Sequence, residues 1–272
     1  MIRTASGRFG AAFARRSPGS RPGVIPYVMA GFPEREATAR LLLACQRAGC
    51  LAVELGIPFS DPLADGPTIQ RAGALALGAG MTPEIAISQV AQARSAGLEV
   101  PVAAMTYINP VLSMGTRRFA AACSEAGIDG VIVPDLPADE AGGLAATLGE
   151  HGLAHIPLVA PTTPLERLAR VAATASGFVY CVSVTGTTGA RRRVSPQALD
   201  LLARVRSVST LPRALGFGIS RAEHVTELTG HAEAVVVASA LLDSVLGDPG
   251  RDPLEVVEGF VRALAGEGAE RS

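Results

Sequence analysis

The stretch 51–70, LAVELGIPFSDPLADGPTIQ, carries the side chains best suited to chemistry. Glu54 sits inside a strand-like apolar run. Period-two alternation places it on one face with Ala52 and Gly56, while Leu51, Val53 and Leu55 take the other. A charged, unpaired carboxylate inside a core is costly. Glu54 is therefore either held by an arginine or backbone donors, or it is kept for acid–base work. The loop that follows is stiffened by Pro58, Pro62 and Pro67 and carries Asp61 and Asp65. Asp61 suits ordinary turn use across Ser60–Pro62. Asp65 follows Glu54 by eleven positions, and the loop's turns can bring it back over the barrel mouth, where two carboxylates in unlike settings can divide acid and base roles.

A second group of residues suits an anion. Leu215-Gly216-Phe217-Gly218-Ile219-Ser220 ends one apolar run, and Ala238-Ser239 ends the next, each leading into a helix. Backbone N–H groups at such turns cradle phosphate without needing a lysine, and glycine lets the chain approach closely. A third stretch, 182–190, is polar, contains Gly186 and Gly189, and suits a lid; Arg191, Arg192 and Arg193 after it suit a solvated face. The histidines, His151, His155, His224 and His231, have no metal-ligand spacing and fall outside these loops. Cys181 has no histidine partner in view. No metal site is expected. All 24 basic residues are arginine, so no lysine exists to form a Schiff base, and covalent pyridoxal phosphate or lysine-type aldol chemistry is excluded. No cofactor is expected.

Short β-branched apolar runs position these loops. They fall at 24–30, 51–56, 102–107, 130–133, 154–159, 178–182, 213–217 and 234–237. Amphipathic stretches lie between them, near 35–49, 83–97, 116–126, 139–151, 164–175, 196–206 and 220–229, with a last helical region over 239–265. Eight βα units of near-continuous apolarity indicate a parallel sheet, and at this length a closed α/β (β/α)8 barrel over 1–272 as one domain. The rival, an open doubly wound sheet, would want GxGxxG where the chain has Ala30-Gly31-Phe32-Pro33. Thr82-Pro83, Ser195-Pro196 and Thr163-Pro164 read as helix starts, the last with Glu166 completing a capping box. Residues 1–20 read as an N-terminal helix and lead-in, with Phe9 and Phe13 on one face; the same arginine-rich, acid-poor start also has transit-peptide composition. A net charge of −1 argues against nucleic acid or anionic membrane as partner, and no apolar run approaches a membrane span. Cys45, Cys50, Cys123 and Cys181 form no CxxC pair and suit a reducing, cytoplasmic setting.

The run Glu54-Leu55-Gly56-Ile57-Pro58-Phe59-Ser60-Asp61-Pro62-Leu63-Ala64-Asp65-Gly66-Pro67-Thr68-Ile69-Gln70 resembles the signature of tryptophan synthase alpha chains. So do Tyr107-Ile108-Asn109-Pro110, Val133-Pro134-Asp135-Leu136-Pro137, Thr187-Thr188-Gly189-Ala190-Arg191 and Gly216-Phe217-Gly218-Ile219-Ser220, in the family's order. The resemblance implies a (β/α)8 barrel with an extra N-terminal helix that cleaves indole-3-glycerol phosphate. It implies Glu54 as general acid/base and Asp65 as acceptor for the indole N–H. It further implies Tyr180 beside Glu54, a lid Thr188 closing on Asp65, and an indole pocket of Tyr27, Ile69 and Tyr107. Gly189, Gly218, Ala238 and Ser239 would hold phosphate. A pyridoxal-phosphate β chain would dock on loops carrying Pro58, Asp61, Pro62 and Asn109, in an αββα heterotetramer. Two positions depart from the family pattern: Tyr27 replaces a frequent Phe and adds a hydroxyl that needs a partner, and Ala238 replaces a usual Gly, where the methyl group either crowds the anion or costs about 1 kcal/mol if φ is positive, so that weakened or slightly shifted phosphate binding is expected, not lost activity. Rival readings are a stand-alone indole-releasing lyase, a weakly catalytic partner-activating subunit, or another phosphosugar enzyme on this fold. Among the last, indole-3-glycerol phosphate synthases normally use a lysine that this chain lacks.

Overall fold

The computed structural model describes residues 7–137, 139–183, 194–216 and 218–266. Nine short strands build the sheet: β1 Gly23–Met29, β2 Val53–Gly56, β3 Val102–Met105, β4 Gly130–Ile132, β5 Ala154–His155, β6 Leu158–Val159, β7 Val179–Val182, β8 Arg213–Gly216 and β9 Ala234–Val237. They are ordered β5-β4-β3-β2-β1-β9-β8-β7-β6, and every pairing is parallel. The two ends of that order, β5 and β6, are one chain segment interrupted at Ile156-Pro157. The segment hands over from one neighbour to the other: Ile156 N–H donates to Val131 O at 3.0 Å, and Tyr180 N–H donates to Pro157 O at 3.1 Å. Proline has no N–H to continue a ladder, so the regular strand breaks there while the ring of strands closes. The expected barrel is thus formed, with the run 154–159 divided in two.

Strand alternation separates two sets of side chains. Val53, Leu55, Val131, Leu215 and Val235 point outward into the layer beneath the helices. Ile25, Ala52, Ala103, Ile132, Ala214 and Val236 fill the lumen. Helix Gly7–Ala14 stoppers the amino end of that lumen: Phe9 and Phe13 pack on Phe178 with ring centroids 5.5 and 6.0 Å apart. Below it, Asp129 accepts from Arg8 at 2.9 Å and from Arg94 at 2.7 Å, while Arg94 also binds the carbonyls of Leu98, Val100 and Gly127. With that end plugged and fastened, the carboxyl ends of the strands are left for the site.

Several local expectations need correction. Helix Pro67–Gly78 occupies residues expected to belong partly to the loop; Pro67 is the first-turn proline that starts it. β3 stops at Met105, and Tyr107 precedes a helix, Ile108–Met114. The region 239–265 is two helices, Ser239–Gly247 and Pro253–Ala265, separated around Gly250. Thr82 and Ser195 cap as expected, accepting from Ile85 N–H and Ala198 N–H. Thr163 does not: the helix begins at Leu165 after Pro164, and the Thr163 hydroxyl accepts from Ala160 N–H at 3.0 Å instead. Among the described residues no helix is long and apolar enough to cross a membrane.

Candidate active site

Glu54 lies in register between Tyr27 of β1 and Ala103 of β3, facing the lumen near the carboxyl end of β2. It is 1% exposed, and among the described residues its Oε2 has no hydrogen-bond partner. Burial lifts its pKa from 4.5 to about 8; a hydrogen bond from Tyr180 works against the rise, and the charge of Asp65 adds to it. At neutral pH this carboxyl group therefore keeps its proton, as a general acid must. Among the described residues, Tyr180 bonds this carboxyl group and no arginine or backbone group is recorded holding it, which speaks against the structural alternative.

Tyr27 and Tyr180 are shaped by glycines on the neighbouring strands. A Cβ on Gly56 would lie 1.9 Å from the Tyr27 hydroxyl, and one on Gly216 would lie 2.5 Å from Tyr180 Cε1. Each phenol needs the bare backbone beside it. The Tyr27 hydroxyl, foreseen to need a partner, finds Met29 Sδ at 3.9 Å. Burial and the nearby carboxylates hold both phenols well above the usual range.

Asp65 is brought over the barrel mouth by consecutive tight turns. Leu63 N–H donates to Asp61 O at 2.9 Å and Asp65 N–H to Pro62 O at 3.1 Å, while Ser60 Oγ donates to Asp61 Oδ2 at 2.5 Å. Asp61 thus organises its own turn, as its sequence context suggested. Gln70 Nε2 holds the Asp65 carbonyl at 2.9 Å. Partial burial raises the Asp65 pKa from 3.8 to about 6, opposed by a hydrogen bond from Tyr107. The two carboxyl groups are therefore tuned apart, with Asp65 ionised and Glu54 neutral near pH 7.

Tyr107 is buried, and its hydroxyl bonds Asp65. Its hydroxyl accepts from Ala64 N–H at 3.0 Å, and its ring packs on Phe59 with centroids 5.4 Å apart. It fastens the loop that carries Asp65, a role its place beyond the end of β3 could not reveal.

Glu54 and Asp65 open onto one cavity of about 650 Å³, also lined by Ile69, Gly218, Ala238 and Ser239. At its far end Gly218 has φ +78, a conformation reserved for glycine. Ala238 precedes helix Ser239–Gly247 with φ −118, so its methyl group costs no left-handed strain. Leu241 and Leu242 N–H groups bond back to Ala238 O, while those of Ser239 and Ala240 belong to the open first turn. His224, expected to lie outside the site, is buried and lines this end; Ser220 N–H donates to its Nδ1 at 3.4 Å. Its signal was only that it follows the glycine turn by one helical turn. Thr188, Gly189, Phe217 and the arginine triplet lie outside the described residues.

Of the residues assigned to a partner surface, Asp61 and Asn109 are exposed, Pro62 is half-buried and Pro58 is buried. Pro58 therefore props the loop rather than presenting to another molecule. Two large hydrophobic side chains lie beside them: Leu63, in the loop of Asp61, is 92% exposed and Leu112, in the helix of Asn109, is 60% exposed.

Comparison with known proteins agrees with this geometry. The tryptophan synthase alpha chain family profile matches residues 13–262. A tryptophan synthase alpha chain of Roseiflexus castenholzii is 47% identical over 260 residues, covering 95% of this chain and 99% of the relative. That of Chloroflexus aurantiacus is 44% identical, covering 94% and 97%. The crystal structure of the Legionella pneumophila tryptophan synthase alpha subunit superposes with a TM-score of 0.86 at 32% identity, covering 96% of this chain and 98% of the other. A chain from the Pyrococcus furiosus tryptophan synthase α2β2 complex superposes with a TM-score of 0.84 at 40% identity, covering 92% and 98%. The chain belongs to the tryptophan synthase alpha chain family.

Proposed function

We propose that this chain cleaves indole-3-glycerol phosphate to indole and D-glyceraldehyde 3-phosphate by a retro-aldol reaction, in tryptophan biosynthesis in the cytoplasm. The observation that carries the mechanism is Glu54: a lumen-facing carboxyl group with an unsatisfied oxygen, kept protonated by burial, sharing a cavity with an ionised Asp65. Glu54 gives its proton to indole C3. The positive charge that develops on the ring nitrogen is stabilised by the Asp65 carboxylate, which accepts the N–H hydrogen bond. Glu54, now ionised, takes the proton of the hydroxyl on the carbon attached to the ring. The carbon–carbon bond breaks, its electron pair restores the aromatic ring, and the former alcohol carbon becomes the aldehyde. One proton leaves Glu54 and one returns, so the side chain ends as it began. The ring is the electron sink, which suits a chain with no lysine.

The far end of the cavity suits the phosphate. Gly218 and the first turn of helix Ser239–Gly247 offer backbone N–H groups, and a helix amino end favours an anion. The family resemblance assigns Thr188 to a lid over Asp65 and Gly189 to the phosphate; both lie outside the described residues. We assign docking of a tryptophan synthase β chain, as an αββα assembly, to the surface of Asp61, Pro62 and Asn109. Exposed Leu63 and Leu112 support this, because large apolar side chains at such exposure favour a covering partner. The test is indole release from indole-3-glycerol phosphate by the purified chain, with and without a β chain. Slow release alone and faster release with the partner are expected, with none from Glu54→Gln. Absence of release under both conditions refutes the proposal.

A further inference from the structure

One hydrogen bond spans the rim between the two ends of the cavity. The Thr68 hydroxyl donates to Asp243 Oδ1 at 2.9 Å, across 175 positions of sequence. Neither residue belongs to the acid–base pair or to the anion cradle, yet each is attached to one of them. Thr68 lies in the first turn of helix Pro67–Gly78, which starts directly after Asp65 and Gly66. Gln70 of the same turn holds the Asp65 carbonyl. Gly66 has no side chain with which to cap that helix, and the Thr68 bond ties its first turn to a second element. Asp243 lies one turn along helix Ser239–Gly247, whose open end faces the anion site, and it lines the cavity itself. A carboxylate lining an anion site repels the ligand there. Its presence is better accounted for by the hydroxyl it anchors.

We propose that Thr68 and Asp243 form a positioning latch, through which an anion bound at helix Ser239–Gly247 fixes the helix start that carries Asp65. The inference rests on the phosphate-bearing substrate proposed above. Binding at one end of the cavity then orders the carboxylate at the other, so the non-reacting phosphate contributes to the rate of bond cleavage and not only to affinity.

Four full-length proteins test this: wild type, Thr68→Val, which removes the donor, Thr68→Ser, which restores it, and Asp243→Asn, which keeps an acceptor without the charge. Amide hydrogen exchange over residues 61–72 is read with and without inorganic phosphate, alongside kcat and KM for indole release. Phosphate is expected to slow exchange in wild type, Thr68→Ser and Asp243→Asn, and not in Thr68→Val. In Thr68→Val kcat should fall about fivefold, the scale of one hydrogen bond, with KM within about twofold. Asp243→Asn should be inhibited by lower phosphate concentrations than wild type. Absence of phosphate protection in wild type, or its full retention in Thr68→Val, overturns the latch. A lowered melting temperature and kcat that Thr68→Ser does not restore also overturns it, marking a merely structural bond. If wild type releases no indole, the cleavage proposal fails while the exchange comparison still decides the latch.

Discussion

Replacing Glu54 with glutamine should stabilise the protein while abolishing its chemistry, and the stabilisation should grow with pH. The argument rests on proton linkage. Glu54 titrates near 4.5 when unfolded and at about 8 in the fold, raised first by burial. Below 4.5 the group is neutral in both states and costs nothing. Between 4.5 and about 8 the unfolded chain releases the proton and the folded chain keeps it, so stability is lost as pH rises; above about 8 the loss is complete. A span from 4.5 to about 8 sets a ceiling of about 5 kcal/mol, at about 1.4 kcal/mol per tenfold change in proton affinity. The adjoining cavity is large enough to admit water, which would solvate the ionised form in part, so about 2–3 kcal/mol is the working expectation. Any cost of an unsatisfied amide donor at the orphan oxygen's place does not vary with pH and cancels from the comparison. Urea unfolding of wild type and Glu54→Gln at about pH 5 and about pH 8 reads the difference. A stability gap that widens toward high pH is expected. Parallel profiles would refute the reasoning, because Glu54 would then ionise as it does in water.

Other outcomes follow from the same geometry. The pH profile of kcat/KM should rise as Asp65 ionises through about 6 and fall as Glu54 loses its proton through about 8; the falling limb is diagnostic, since the substrate phosphate, with a pKa near 6, titrates only on the rising side. Tyr107→Phe removes the hydrogen bond that opposes Asp65's upward shift, so the rising limb should move to higher pH and kcat should fall roughly tenfold. Gly216→Ala places a Cβ 2.5 Å from Tyr180 Cε1 and should destabilise by about 1–3 kcal/mol in thermal or urea unfolding, less so when Tyr180 is made smaller. Ala238→Gly should change phosphate inhibition by less than about twofold, because φ is −118 and there is no left-handed strain to relieve.

The barrel was legible because its strands are buried on both faces and separated by amphipathic stretches, a pattern that survives without any tertiary information. Glu54 was legible for the opposite reason: one acidic residue in an apolar strand contradicts its surroundings, and the contradiction marks the site. Helix Pro67–Gly78 was obscured because Pro67 reads equally well as loop stiffener and helix starter, and only the chain's path decides. The break at Ile156-Pro157 depends on where two neighbours compete for one strand, which lies outside any local window. Tyr107 shows the same limit. Its family resemblance places it at the mouth of the barrel, but whether its hydroxyl meets substrate or Ala64 N–H depends on how the 57–65 loop folds. His224 sits in a helix too short to carry a periodic signal.

The central claim is that burial keeps Glu54 neutral so that it can protonate carbon. Infrared difference spectra between wild type and Glu54→Gln test it most directly, through the carbonyl stretch of a protonated carboxyl group. The band should be present at neutral pH and disappear with a midpoint at about 8. A spectrum showing Glu54 already ionised at about pH 6 would contradict the account.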